Sequence, residues 1–214
     1  MVSIHNFIQG LQAISRVMQE NRDYLIKLDQ RNGDGDLGIS MSNGFQAVYD
    51  YAAGNQDQPF ANLVFRCSAT FNEAAPSSLG TILAFIFMGM GKYLKKACAN
   101  ENSVDFQIFV KALKAGMELM MDKAGSKPGE KTIVDSLYPA VQVLEEKADE
   151  DPVVALLAAK VASEQGMENT KNMRSVHGRA AYYGDKSIGI IDGGAVVGHL
   201  IFQALADEFE AQLP

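Results

Sequence analysis

Three aspartates, Asp29, Asp34 and Asp36, fall in the run Leu28-Asp29-Gln30-Arg31-Asn32-Gly33-Asp34-Gly35-Asp36-Leu37-Gly38. Carboxylates so close in sequence repel one another when they converge, unless a cation sits among them. The glycines at 33, 35 and 38 let the backbone bend sharply enough for that convergence. With no histidine or cysteine nearby, an all-oxygen ligand set suits a hard ion, magnesium or calcium, and not zinc. Magnesium held by carboxylates usually keeps waters or phosphate oxygens in its remaining positions, which points to a nucleotide.

Other readings compete for the same stretch. Gly33 to Gly38 fits G-x-G-x-x-G, but no strand-like run precedes it, and the aspartates would repel a pyrophosphate laid on that turn. An EF-hand counted from Asn32 would need its glycine and its final glutamate where the chain has Leu37 and Asn43. A solvated acidic turn between two helices remains the plain alternative.

The elements that must position this loop are helical. Ile4, Phe7, Ile8, Leu11, Ile14, Val17 and Met18, then Leu25 and Leu28, keep a helical period, with Asn21-Arg22-Asp23 as a break, and so deliver Asp29. A second helix follows the loop to Tyr51, with Gly38 to Met41 in its first turn. Its free N–H groups would face the metal site and bind an anion. Helical spacing resumes over 60–71, over an apolar run from Ile82 to Met90, over 106–121 and over the face Ile133, Leu137, Val141, Leu144, where Pro139 bends or ends the segment. Asp151-Pro152 starts a further helix to about Lys171, and Val196 to about Glu210 is the last. About eight such segments joined by short loops, with no strand pattern, predict an all-α single domain over residues 1–214.

Further candidates sit at the joints. Ser78 and Gly80 precede a buried helix and are placed for a second phosphate contact, although an N-cap serine needs no ligand. Gly125 to Thr132 nearly spells a P-loop, but Glu130 stands where the glycine before the lysine is required, so the stretch is read as a glycine-rich turn able to approach a base. Arg179 can clamp phosphate oxygens with its planar fork, or serve as a surface ion-pair partner. Of His5, His177 and His199, none lies beside the aspartate loop in sequence.

Composition narrows the class. The chain has 214 residues, 47% apolar and 21% charged, with a formal charge of −7. The acidic balance and the lack of a Lys/Arg-rich block argue against a nucleic-acid groove. No membrane-length apolar run or signal pattern occurs, so a soluble cytoplasmic protein is expected. Cys67 and Cys98 are expected as buried reduced thiols.

With these residues in view, the chain resembles the L subunit of bacterial dihydroxyacetone kinase over nearly its whole length. Four blocks carry the resemblance in order: Leu28 to Asp36 with Met41 to Phe45; Ser78 to Gly91; Lys127-Pro128-Gly129-Glu130-Lys131-Thr132 with Asp135; and Gly178-Arg179-Ala180 to Gly189 with Asp192. The resemblance implies an eight-helix antiparallel barrel holding ADP or ATP at one end through two magnesium ions. It implies Asp29, Asp34 and Asp36 as metal ligands. Leu37, Gly38, Ile39, Ser40, Ser78 and Gly80 would surround the phosphates, Gly125 and Ile133 the base, and Arg179 with Asp192, Gly193 and Gly194 would close the site. It implies a kinase subunit acting on dihydroxyacetone held by a separate K subunit through a histidine. The phosphoryl donor would be ATP, or a phosphotransferase-system phosphoprotein (an M-type subunit) recharging bound ADP. The alternatives are a kinase subunit for another short ketose or polyol, and a nucleotide-loaded regulator of a transcription factor. The chain departs from the family pattern at Leu37 (usually histidine), Glu130 (usually aspartate), Gly193 (usually proline) and an inserted residue near Ser77-Ser78. Leu37→His is expected to tighten nucleotide retention.

Overall fold

Helix α1 (Ile4–Glu20) starts at a reciprocal cap: Ser3 Oγ accepts the Asn6 N–H, and the Asn6 carboxamide accepts the Ser3 N–H. It ends at Asn21, whose side chain donates to the Val17 carbonyl at 2.9 Å, an alternative to the helical ladder. Helix α2 (Arg22–Asp29) leaves on a new course from this break. The chain then forms α3 (Leu37–Gly54), α4 (Phe60–Ala74), α5 (Ser78–Ala97), α6 (Phe106–Ala124), α7 (Val134–Glu146), α8 (Pro152–Asn169) and α9 (Gly193–Glu210). The computed structural model describes residues 1–31 and 33–212; Asn32 of the aspartate loop, Leu213 and Pro214 lie outside the described residues.

Each of α1 and α3 to α9 packs on the next, and α9 returns to α1, so eight helices close a ring. The expected antiparallel barrel is what forms. Nine α-helices are described because the break at Asn21 sets off α2, which packs on α3 and α9 at one end of the ring. One feature was not anticipated. Strands β1 (Val2–Ser3) and β2 (Ser103–Val104) pair antiparallel, a ladder too short to leave a period in the sequence.

Alternation of direction sorts the loops to two ends. At the far end lie the chain start and the α3–α4, α5–α6 and α7–α8 connections, where the Phe60 N–H donates to the Glu101 carbonyl at 3.0 Å. Phe7 meets Phe60 edge-on at 5.4 Å, and Phe60 stacks on Phe109 at 6.4 Å. The ring encloses an apolar cavity of about 320 Å³, bordered by Leu11, Phe87, Met90, Leu137 and Phe202 among others. The other end gathers residues 30–31, 33–36, 75–77, 125–133 and 170–192, hence the starts of α3, α5, α7 and α9.

Among the described residues no helix is long and apolar enough to cross a membrane. Cys67 is buried, which pushes its thiol up to about 12. Cys98 is only half-buried, a correction to the sequence reading, because it terminates α5 instead of lying within it.

Candidate functional site

Asp29 is the last residue of α2 and Asp36 the N-cap of α3, so two helix ends hold the outer members of the triad and the loop supplies Asp34. One oxygen from each carboxylate lies within 4.8 Å of the others. The Gly35 N–H donates to Asp29 Oδ2 at 2.7 Å, and Gly35 takes φ +80°, a conformation that a side chain would strain. At Gly38 the requirement is space, since a Cβ there would collide with the Arg22 carbonyl where α3 crosses the start of α2. Burial, followed by the charges of Asp34 and Asp29, pushes the Asp36 carboxyl up. Arg179 Nη2 lies 3.1 Å from Asp34 Oδ2, but one guanidinium offsets only one of three carboxylates. The cluster therefore fits a hard cation in both charge and donor type.

The helix starts at this end are not alike. Ser77 caps α5, its hydroxyl accepting the Gly80 N–H at 3.1 Å, which leaves the exposed Ser78 hydroxyl free of that duty. Asp192 caps α9 by accepting the Ala195 N–H at 2.8 Å; burial pushes its carboxyl up to about 6. At α3 the Asp36 side chain makes no cap, so the N–H groups of Leu37, Gly38 and Ile39 keep their anion-binding capacity beside the triad. Ile39 is exposed, whereas Leu37, Gly38 and Ser40 are buried. Leu37 packs against Gly193 together with Leu28.

The glycine-rich turn is tied down by Asp135, whose carboxylate accepts the Gly129 N–H at 2.6 Å and the Thr132 N–H at 2.7 Å. Gly125 ends α6 in the left-handed conformation, φ +62°. Ile133 is buried, and its backbone nitrogen lies against Gly194. It meets the α9 start as packed backbone. Between α8 and α9 runs a strap, residues 173–190, that brings Arg179 to Asp34. Gly33, Arg179, Tyr182 and Tyr183 border an open cleft of about 480 Å³.

The fold thus joins the triad to Leu37–Ser40, Arg179 and the Asp192–Gly194 cap in one contiguous region. Ser78, Gly80 and Gly125 share the rim, yet among the described residues no hydrogen bond or ion pair links them to the aspartates. Sequence reasoning gave no positioning role to three residues here. Lys131 is 3% exposed and donates to three carbonyls of the strap. Glu130 meets His177 at 2.6 Å, which ties the glycine-rich turn to the strap two residues before Arg179. Thr170 accepts the Asp192 N–H at 3.0 Å. A lysine in a P-loop-like turn was the available signal for the first; the others depend on long-range contacts.

The family model described as "DAK2 domain" matches residues 32–207, and the chain belongs to this family. It is 29% identical to the ADP-binding subunit of PEP-dependent dihydroxyacetone kinase 1 from Listeria innocua, over 92% of this chain and 93% of that protein. It is 26% identical to the corresponding ADP-binding subunit from Escherichia coli, over 93% of this chain and 94% of that one. An L-erythrulose 1-kinase from Mycolicibacterium smegmatis is 26% identical over 94% of this chain but only 35% of its own length. The crystal structure of the dihydroxyacetone kinase from C. freundii in complex with AMP-PNP and Mg2+ shares the fold, with a TM-score of 0.73 at 23% identity over 94% of this chain and 33% of that one.

Proposed function

We propose that this chain, as one helical domain over residues 1–214, is the nucleotide-binding subunit of a split dihydroxyacetone kinase. Family membership makes it a kinase, a phosphotransferase with an alcohol acceptor. The observation that carries the finer reading is the convergence of Asp29, Asp34 and Asp36 beside the uncapped start of α3, with Arg179 reaching the same place. Closure of the ring by α1 and α9 supports treating the whole chain as one unit.

In this reading the triad binds two magnesium ions carrying ADP or ATP, and those ions neutralise phosphate charge during transfer. The N–H groups of Leu37 to Ile39, with Ser40, receive phosphate oxygens. Ser78 and Gly80 approach from α5, and Gly125 and Ile133 border the base. Arg179 and the Asp192–Gly194 turn close over the nucleotide. Among the described residues His177, the histidine of the strap, is already engaged by Glu130. This supports a reading in which dihydroxyacetone is held on a separate K-type subunit that docks over the open cleft. The Listeria innocua and Escherichia coli relatives, each matched over more than nine-tenths of its length, are PEP-dependent by name, which favours a phosphotransferase-system M-type protein recharging bound ADP over exchange with free ATP. The similarity to L-erythrulose 1-kinase keeps another short ketose as a second substrate reading.

Native mass spectrometry followed by denaturation tests the binding step. Retained ADP with two magnesium ions supports the protein-donor cycle; empty protein that takes up ATP only with magnesium supports free exchange. Binding of neither would remove the proposal. Turnover with an added K-type subunit, comparing dihydroxyacetone with erythrulose, decides the substrate.

A further inference from the structure

We infer that Lys131 is a positioning residue that bolts the neck of the 173–190 strap and so holds Arg179 over the aspartate cluster. This rests on the reading of that cluster as a magnesium–nucleotide site.

The strap leaves and rejoins the body at one place, and Lys131 occupies it. Its Nζ donates to the Met173 carbonyl at 3.1 Å on the outgoing side, and to the Ser187 and Ile190 carbonyls at 2.5 and 2.6 Å on the returning side. An ammonium has three protons and here has three acceptors. The side chain is 3% exposed, and its backbone takes φ +60°, a conformation that disfavours a residue with a Cβ. A solvent-facing lysine would need neither the burial nor the strain. Secondary ties reinforce the neck. The Gly189 N–H donates to the Lys171 carbonyl at 2.7 Å, and the Ser175 N–H donates to Ser187 Oγ at 3.0 Å.

Beyond the neck the strap has few holds. Glu130 meets His177, and Arg179 meets Asp34 through side chains that are 69% and 45% exposed. An ion pair so exposed is too weak to order a loop of this length by itself. Tying the loop at its base leaves little entropy to lose when Arg179 engages an anion. Lys131 therefore acts through Arg179 without touching the ligand.

Two measurements on Lys131→Met, alone and combined with Arg179→Ala, test this. Chymotrypsin cleavage at Tyr182 and Tyr183 in nucleotide-free protein should be about tenfold faster than in the wild type, at unchanged helical circular dichroism. Release of N-methylanthraniloyl-ADP in magnesium buffer should be about tenfold faster in Lys131→Met, yet Lys131→Met should add nothing to Arg179→Ala. Unchanged cleavage would overturn the bolt. Equal acceleration in both backgrounds would make Lys131 a general structural residue and overturn its action through Arg179. If Lys131→Met does not fold, Lys131→Gln, which keeps a shorter donor, is read the same way. A wild type that binds no nucleotide analogue would defeat the functional reading, while the cleavage ratio would still decide the bolt.

Discussion

The two ends of the helical ring are built on opposite terms. The far end is stitched: a capping box at Ser3 and Asn6, a two-residue strand pair, a backbone tie from Phe60 to Glu101, and the stacked rings of Phe7, Phe60 and Phe109. The site end gathers mutually repelling carboxylates and an α3 start without a side-chain cap. Every left-handed residue among those described lies in its loops: Lys131 and the glycines at 35, 125, 129, 178, 184 and 189. The converging carboxylates and the positive-φ backbone thus lie at the end that binds, and the packed far end supplies stability that holds them there.

That division predicts that stability and ligand binding can be damaged separately. The largest effect belongs to Phe60→Ala. The ring is 1% exposed between two other aromatics, so its loss should destabilise the protein by about 3–5 kcal/mol in urea unfolding. Nucleotide affinity of the folded fraction should stay within about twofold of the wild type. A large drop in affinity would show that the ends are coupled. Asp34→Asn is the converse. It should weaken magnesium-dependent ADP binding about 100-fold, roughly 2.7 kcal/mol by calorimetry. In metal-free buffer it should leave the melting temperature unchanged or raise it, because a like charge is removed from the triad. Unchanged ADP affinity would take Asp34 out of the site.

A smaller effect sharpens the electrostatic side of the comparison. Asp192 is held near 6, above its ordinary value, by burial and by the neighbouring Asp135, against the pull of Lys131 and its backbone donors. Between about pH 4 and 6 the folded protein therefore binds more protons at this residue than the unfolded chain. Its contribution makes stability fall as pH rises through that window and stay lower above it. Asp192→Asn keeps an effective N-cap and should remove this part of the pH dependence in metal-free protein. An identical slope in both proteins would show that the carboxylate titrates as if exposed.

What the sequence disclosed follows the same geography. The helices were legible because an apolar stripe repeats every three to four residues, and the triad because its members are local and their repulsion demands a partner. Asn21 was visible as a break, although not as the origin of a separate helix. The strap was not legible. Lys131 meets carbonyls 42 to 59 positions away, and Glu130 reaches His177 across 47. No periodicity links such pairs, so the contact between the glycine-rich turn and His177 left no local signal. At the start of α5 the sequence put Ser78 forward for a phosphate contact, and the structure shows the neighbouring Ser77 hydroxyl to be the one spent on the cap.

Leu37 sets the two kinds of reasoning against each other, and Leu37→His brings the conflict to a measurement. Family resemblance expects histidine here to contact phosphate and slow nucleotide release. In the structure Leu37 is 7% exposed, and its Cδ2 would lie 2.8 Å from a Cβ placed on Gly193. An imidazole left in that apolar contact would bury an unpaired N–H, at a cost of about 1–3 kcal/mol. L37H should therefore melt at a lower temperature without metal while releasing ADP more slowly with it. Gly193 stands where the family usually carries proline, and it is the residue that accommodates the leucine, so the two departures belong together. Combining Leu37→His with Gly193→Pro should recover part of the lost stability, since the space that the leucine filled is then taken by the ring. Faster ADP release in L37H would show that packing, and not a phosphate contact, decides what this position does.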